Sequence, residues 1–83
     1  MTIQFTLERF ILDEILYADK NTRLDPDQSL LQSGILDSLG ILRMVAYIED
    51  QYGVNVDDGE VVPANFQTLN DMTAFLQRKQ AEA

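Results

Sequence analysis

The sequence reads GILDSLGILRMVAYIEDQYG from residue 34 to residue 53, and this stretch decides the fold. Its apolar residues recur at steps of three and four, which is the spacing of an amphipathic α-helix. On a helical wheel the core face collects Ile41, Met44, Val45, Ile48 and Tyr52. Gly53 stands where a C-terminal cap is expected. The sequence therefore predicts a helix that begins after Asp37 and Ser38 and ends at Tyr52.

The opposite side of this helix carries a mixed stripe of apolar and charged residues. It consists of Leu39, Arg43, Ala46 and Asp50. One interpretation is an ordinary solvent-exposed face with two isolated apolar residues, and the periodicity alone favours it. The other interpretation is a surface that a partner protein contacts.

Two further amphipathic segments flank this helix. Apolar residues recur with a helical period from Ile3 to Tyr17, where Leu12 and Leu16 widen the apolar face. A last helix is predicted from Leu69 to about Gln80, with Thr68 as its N-cap. We therefore predict an all-α fold, an antiparallel bundle of three main helices with a short additional helical turn.

The connections between these helices differ in character. Turn-forming residues from Ala18 to Asp37 predict a long ordered loop, and loops of more than about 12 to 15 residues tend to be functional. An extended connection is predicted at Val54 to Val56. The short helical turn is expected around Val61 and Val62, before Pro63.

Composition limits the function. The chain has 83 residues, which fits a single domain over residues 1–83, and it contains no Cys and no His. These absences remove thiolate metal sites and the usual near-neutral general base. Fourteen acidic and six basic residues give a net charge of −8, which disfavours nucleic-acid binding and favours partners with basic patches.

The distribution of apolar residues bears on the compartment. The longest apolar stretch, Met44 to Ile48, has five residues, whereas a membrane-spanning helix needs about 20, so no membrane association is expected. The first amphipathic stretch contains Glu8, Arg9 and Asp13 and is unlike a signal peptide. We expect a monomer in the cytoplasm.

Two kinds of catalytic or metal site do not fit the sequence. The acidic run at residues 55–60 suggests calcium, but placing Gly59 at the sixth position of an EF-hand loop puts Val54 and Val56 at ligand positions. The run Ser38-Leu39-Gly40 supplies half of a nucleophile elbow, but a Ser-His-Asp triad needs a histidine. A calcium site and hydrolase activity are therefore both disfavoured.

Ser38 has two possible roles. An Asp-Ser pair before a helix is most simply explained by Ser38 acting as the N-cap. Ser38 also ends the long loop and lies at the positive end of a helix dipole, where an attached phosphate is electrostatically favoured. It could therefore be a site of modification.

The sequence resembles the acyl carrier protein family, including the carrier domains of polyketide and nonribosomal peptide synthases. The match rests on Gly34-Ile35-Leu36-Asp37-Ser38-Leu39 and on the Tyr52-Gly53-Val54 ending. Between them, the matching residues are Ile41, Leu42, Met44, Val45, Ile48 and Glu49. It extends over nearly the whole chain. Two features depart from the pattern of fatty-acid carriers: Gly40 follows Leu39, and Arg43 interrupts an otherwise acidic stripe. They weaken the case for a general fatty-acid carrier. The run from Gly34 to Gly40 is more similar to free-standing carriers of specialised pathways, including those loaded with amino acids.

This resemblance implies a function. A separate phosphopantetheinyl transferase would convert Ser38 to a 4′-phosphopantetheine ester, with Asp37 and Leu39 beside the attached arm. The arm would carry acyl or aminoacyl groups as thioesters, and Leu39, Arg43, Ala46 and Asp50 would contact the partner enzymes. Those partners, including an acyl- or aminoacyl-loading ligase, would present basic patches. The chain would be a carrier and not an enzyme.

One alternative stays open at this point. An acidic helical adaptor could bind a basic partner through the same outer face of the second helix. Ser38 would then be only a helix cap.

Overall fold

The computed structural model describes residues 2–82 and shows an all-helical chain. The first helix, α1 (Ile3–Phe10), continues into a π-helical segment (Ile11–Ile15). After a long loop come α2 (Ser38–Tyr52), a 3₁₀ turn (Asp58–Glu60), α3 (Pro63–Phe66) and α4 (Leu69–Glu82). Residues 2–82 form no β-strand. The predicted fold class is therefore confirmed.

The first helical segment begins at a side-chain cap and ends in a wider turn than we predicted. Thr2 Oγ1 accepts a hydrogen bond from the N–H of Phe5, 3.1 Å away. Near the other end, Leu16 N–H donates to Ile11 O over 2.9 Å, a bond that spans five residues as in a π-helix. Leu16 is 40% exposed, so the prediction that it packs in the apolar face was wrong, whereas Leu12 is fully buried.

The long loop is ordered because α1 and the segment before α4 both bind it. Glu8, on α1, is only 3% exposed, and its carboxylate accepts hydrogen bonds from Leu24 N–H at 2.7 Å and from the Arg23 guanidinium at 3.1 Å. Further along, Leu30 N–H donates to Gln67 O, just before α4, over 2.7 Å. These bonds satisfy backbone groups that a free loop would leave to water.

The second helix lies as predicted, with its core face inward. Met44 and Ile48 are fully buried. Gly53 closes the helix in the left-handed conformation at φ 67°, and its N–H donates to Glu49 O over 3.0 Å. Glycine reaches this conformation without the steric cost that a Cβ imposes.

The C-terminal part differs from the prediction in two details. The short helix begins at Pro63 and does not precede it, because proline fits the first helical position, where its missing N–H has no intrahelical partner. The last helix runs to Glu82, past the predicted end at Gln80. Thr68 Oγ1 accepts from Asp71 N–H over 3.0 Å, which confirms Thr68 as the cap.

One hydrophobic core joins these elements. It comprises Leu7, Ile11, Leu30, Leu36, Met44, Ile48, Val56, Phe66, Leu69, Met72, Phe75 and Leu76. The ring centroids of Phe66 and Phe75 are 5.8 Å apart, so the short α3 is held against α4. Within residues 2–82 no helix combines the length and apolar character needed to cross a membrane.

Candidate functional site

Ser38 is the first residue of α2 and is exposed to solvent. The chain has two other serines, and the hydroxyls of both take part in hydrogen bonds: Ser29 Oγ accepts from Gln32 N–H over 3.0 Å, and Ser33 Oγ donates to Leu30 O over 3.4 Å. In the part of the chain that the structure describes, the Ser38 hydroxyl makes no such bond. Ser38 therefore combines access from solvent with an unengaged hydroxyl.

Asp37, and not Ser38, caps the second helix. Its backbone is extended, and its Oδ1 accepts a hydrogen bond from Gly40 N–H over 2.8 Å. The interpretation of Ser38 as the cap was therefore wrong, because the carboxylate one residue earlier already satisfies the exposed N–H group. This also removes the structural role that the adaptor alternative gave to Ser38.

Gly40 allows the first turn of α2 to approach the chain before it closely. A Cβ at this position would lie 3.2 Å from Leu36 Cδ2 and 3.4 Å from Asp37 Oδ1. Leu36 is 2% exposed and has little room to retreat. A glycine here therefore lets the buried leucine and the capping carboxylate both pack against the first turn of α2, where Ser38 lies.

The start of α2 also suits an attached phosphate. α2 has 15 residues, and its N-terminus carries the positive end of the helix dipole. Gly40 N–H is bound by the cap, whereas the N–H groups of Ser38 and Leu39 have no hydrogen-bond acceptor within residues 2–82. Unengaged N–H groups and a positive dipole end favour an anion. These residues fit a phosphodiester on Ser38.

The predicted outer stripe is exposed along its whole length. Its members Leu39, Arg43, Ala46 and Asp50 all face solvent. Sequence reasoning missed a further apolar residue of this surface, Leu42, which is 60% exposed, close to the 67% of Leu39. The helical wheel places Leu42 at the border between the core face and the stripe. Whether Leu42 is buried or exposed depends on where the other helices pack against α2.

Arg43 is not a free surface charge. Its Nη2 donates a hydrogen bond to the backbone carbonyl of Glu14 over 2.7 Å. In the same register, the rings of Phe10 and Tyr47 stack with centroids 4.1 Å apart. The two contacts show that the first helical segment runs antiparallel to α2 and ends beside its first turns.

The acidic segment after α2 is held by internal bonds. Glu60 Oε1 accepts from Asp57 N–H at 3.0 Å and from Lys79 Nζ at 2.9 Å. The hydrogen bond from Asp57, followed by that from Lys79, lowers the pKa of Glu60 below its usual value. No group of three or more acidic side chains in residues 2–82 is arranged to hold a metal ion.

Comparison with known families identifies this arrangement. The family model described as "Phosphopantetheine attachment site" matches residues 9–76, which include Ser38 and all of α2. The chain belongs to the acyl carrier protein family. It is a phosphopantetheine-bearing carrier and not an enzyme, and it is itself a substrate of a phosphopantetheinyl transferase and a partner of biosynthetic enzymes.

Individual relatives agree with this assignment. The carrier is 29% identical over 82 residues to an acyl carrier protein of Rhodococcus erythropolis (strain PR4 / NBRC 100887), which covers 93% of this chain and 88% of the relative. It is 34% identical over 58 residues to the probable acyl carrier protein PigG of Serratia sp. (strain ATCC 39006), covering 70% and 67%. A solved structure described as "Structure of KstB-PCP(apo)" superimposes with a TM-score of 0.76, at 30% identity over 92% of this chain and 84% of that chain.

Proposed function

We propose that Ser38 Oγ is the attachment point of the 4′-phosphopantetheine arm. The observation that carries this proposal is that Asp37 caps α2 and leaves the exposed Ser38 hydroxyl without a hydrogen bond within residues 2–82. Ser29 and Ser33 use their hydroxyls inside the loop. Family membership supports the chemistry of attachment, and the local geometry supports Ser38 as the residue that carries it.

The attachment is a phosphoryl transfer to Ser38. Its Oγ attacks the phosphorus next to the pantetheine in the pyrophosphate of coenzyme A, and an ester P–O bond forms. The P–O bond to 3′,5′-ADP breaks, and this nucleotide leaves with the bonding electron pair. The serine proton passes to a base of the transferase. The arm, once bound, supplies a thiol that holds the cargo as a thioester.

This chain contributes position and recognition. Asp37 fixes the first turn of α2, so that Ser38 is presented from a rigid helix end. The outer face, formed by Leu39, Arg43, Ala46 and Asp50, lies open beside it. The segment from Asp37 to Glu60 contains six acidic residues and one basic residue, Arg43. Charge complementarity with basic patches on the partner enzymes would speed and orient each encounter.

The cargo class in this proposal is acyl or aminoacyl, delivered by a loading ligase to a free-standing monomer in the cytoplasm. The resemblance of the run from Gly34 to Gly40 to carriers of specialised pathways supports such a pathway over general fatty-acid synthesis.

The experiment compares the unmodified chain with two serine variants. Each is incubated with a phosphopantetheinyl transferase and coenzyme A, and the intact mass is measured. Ser38→Ala should gain no mass, whereas wild type and Ser33→Ala, which removes a second exposed serine, should each gain one arm. A Ser38→Ala protein that still gained the arm would show that the attachment site lies elsewhere.

A further inference from the structure

Tyr17 is a bulky aromatic residue in an unusual conformation at the end of the first helical segment. Its side chain is 79% exposed, more than that of any other large hydrophobic residue identified as exposed in this chain. Its φ is 51°, in the left-handed region, and no other non-glycine residue within 2–82 has a positive φ. Left-handed conformations are costly for a residue with a Cβ, and most of all for a bulky one.

The backbone hydrogen bonds around Tyr17 explain its left-handed conformation, but they do not explain why a tyrosine occupies this position. Ala18 N–H donates to Leu12 O over 2.7 Å, a bond that closes the helix end around a left-handed residue. Glycine is the usual residue at such a position, because it has no Cβ. The tyrosine ring gains no burial in return for the strain. A strained, exposed aromatic residue therefore points to a role outside the folding of the chain.

The location of Tyr17 suggests which role. The contacts Arg43–Glu14 and Phe10–Tyr47 pair residues of α2 with residues of the first segment in one antiparallel register. The first helical segment ends at Ile15, one residue past Glu14, so Tyr17 follows directly at the end of the bundle where α2 begins with Ser38.

We propose that Tyr17 is a docking residue for the phosphopantetheinyl transferase. This inference rests on the proposed attachment at Ser38. The transferase must bring coenzyme A to Ser38 Oγ itself, so its surface has to cover the end of the bundle where Tyr17 lies. Later enzymes act on the thiol at the far end of the arm and have no such need to cover this end.

The residues around Tyr17 indicate which groups the transferase should present to this surface. Tyr17 and Leu39 offer two exposed apolar anchors at the end of the bundle that carries Ser38, and aromatic anchors often dominate the energy of an interface. The neighbouring Glu14 and Asp19 are exposed carboxylates. The transferase should therefore present an apolar slot for the tyrosine ring with basic side chains at its rim.

The test measures transfer kinetics and thermal stability on the same variants. The enzyme is the phosphopantetheinyl transferase of the same cell, with coenzyme A as donor and the wild-type carrier, Tyr17→Gly, Tyr17→Asn and Tyr17→Phe as acceptors. Glycine and asparagine both accept the left-handed conformation and remove the ring, whereas phenylalanine keeps the ring. The thermal midpoints of the Gly and Asn variants should equal or exceed that of wild type.

The kinetic result decides the proposal. We expect KM for the carrier to rise about tenfold or more in the Gly and Asn variants, with kcat nearly unchanged and Tyr17→Phe close to wild type. Unchanged KM in folded Gly and Asn variants would overturn the role of Tyr17 while leaving Ser38 as the site. A wild-type chain that gains no mass would overturn the attachment proposal as well, so the two failures are distinguishable.

Discussion

The Arg43 guanidinium donates a hydrogen bond to the backbone carbonyl of Glu14 over 2.7 Å. Arg43 lies on the outer face of α2, and Glu14 lies in the π-helical segment at the end of α1. One side chain thus serves both the surface offered to partners and the junction of two helices. A charge change at this position will alter stability as well as recognition.

Replacing Arg43 by Ala should lower the free energy of unfolding by about 0.5 to 1.5 kcal/mol, because the Glu14 carbonyl loses its charged donor. Lys20→Ala is the matched control, since it removes one exposed positive charge whose side chain makes no hydrogen bond within residues 2–82. Urea denaturation of the two variants measures the difference. Equal destabilisation would mean that overall charge, and not the bond to Glu14, is responsible.

The identity of the helix cap gives a second prediction. Asp37→Ala should cost about 0.5 to 2 kcal/mol of stability, whereas Ser38→Ala should leave stability nearly unchanged, because Asp37 supplies the capping oxygen. Denaturant unfolding of both variants under one set of conditions provides the comparison. If Ser38→Ala were less stable than Asp37→Ala, Ser38 and not Asp37 would be the helix cap.

Glu8 should make stability depend on pH in the acid range. Burial alone raises the pKa of Glu8, but the hydrogen bonds from Leu24 N–H and Arg23 outweigh it and hold the pKa below the ordinary 4.5. Its contribution to stability is therefore complete above about pH 4.5 and is lost as the pH falls through the lowered folded-state pKa.

Measured stability between neutral and strongly acid pH should show this loss. Glu8→Gln should be less stable than wild type at neutral pH and should lose less on acidification. Glu14→Gln is the control, because Glu14 is exposed and its carboxylate has no hydrogen bond within residues 2–82. If Glu8→Gln and Glu14→Gln flattened the pH profile equally, the buried carboxylate would not be the source.

Leu39 and Leu36 should respond in opposite ways to truncation. Leu39 is 67% exposed, so Leu39→Ala should barely change the thermal midpoint but should slow attachment of the arm. Leu36 is 2% exposed, and Leu36→Ala should cost about 2 to 5 kcal/mol. Thermal unfolding and transferase kinetics on both variants test this. A strongly destabilised Leu39→Ala would place that residue in the core.

The sequence predicted α2 well because three signals agree there. The apolar spacing, the Asp-Ser pair at the start and Gly53 at the end all bound the same segment, and the structure has the helix at Ser38–Tyr52. The short helix was misplaced because Pro63 was read as a stop, although proline also suits the first position of a helix. Local patterns thus located the elements better than their ends.

Contacts between distant segments could not be read from the sequence. Glu8 and Arg23 are fifteen residues apart and lie in different segments, and this spacing gives no sign that Arg23 pairs with the buried carboxylate of Glu8. The left-handed conformation of Tyr17 was equally hidden, because glycine is the usual signal for it and is absent there. Asp37 and Ser38 are both good caps by residue type, and only the geometry decided between them.

Localisation of the arm in the protein purified from its own cells tests the central claim most directly. If part of the purified protein is unmodified, it is first treated with transferase and coenzyme A. The protein is then digested, and the modified peptide is fragmented in a mass spectrometer. We predict a single phosphopantetheine on Ser38 and none on Ser29 or Ser33. An arm on either of the other serines, or a chain that accepts no arm, would contradict the account.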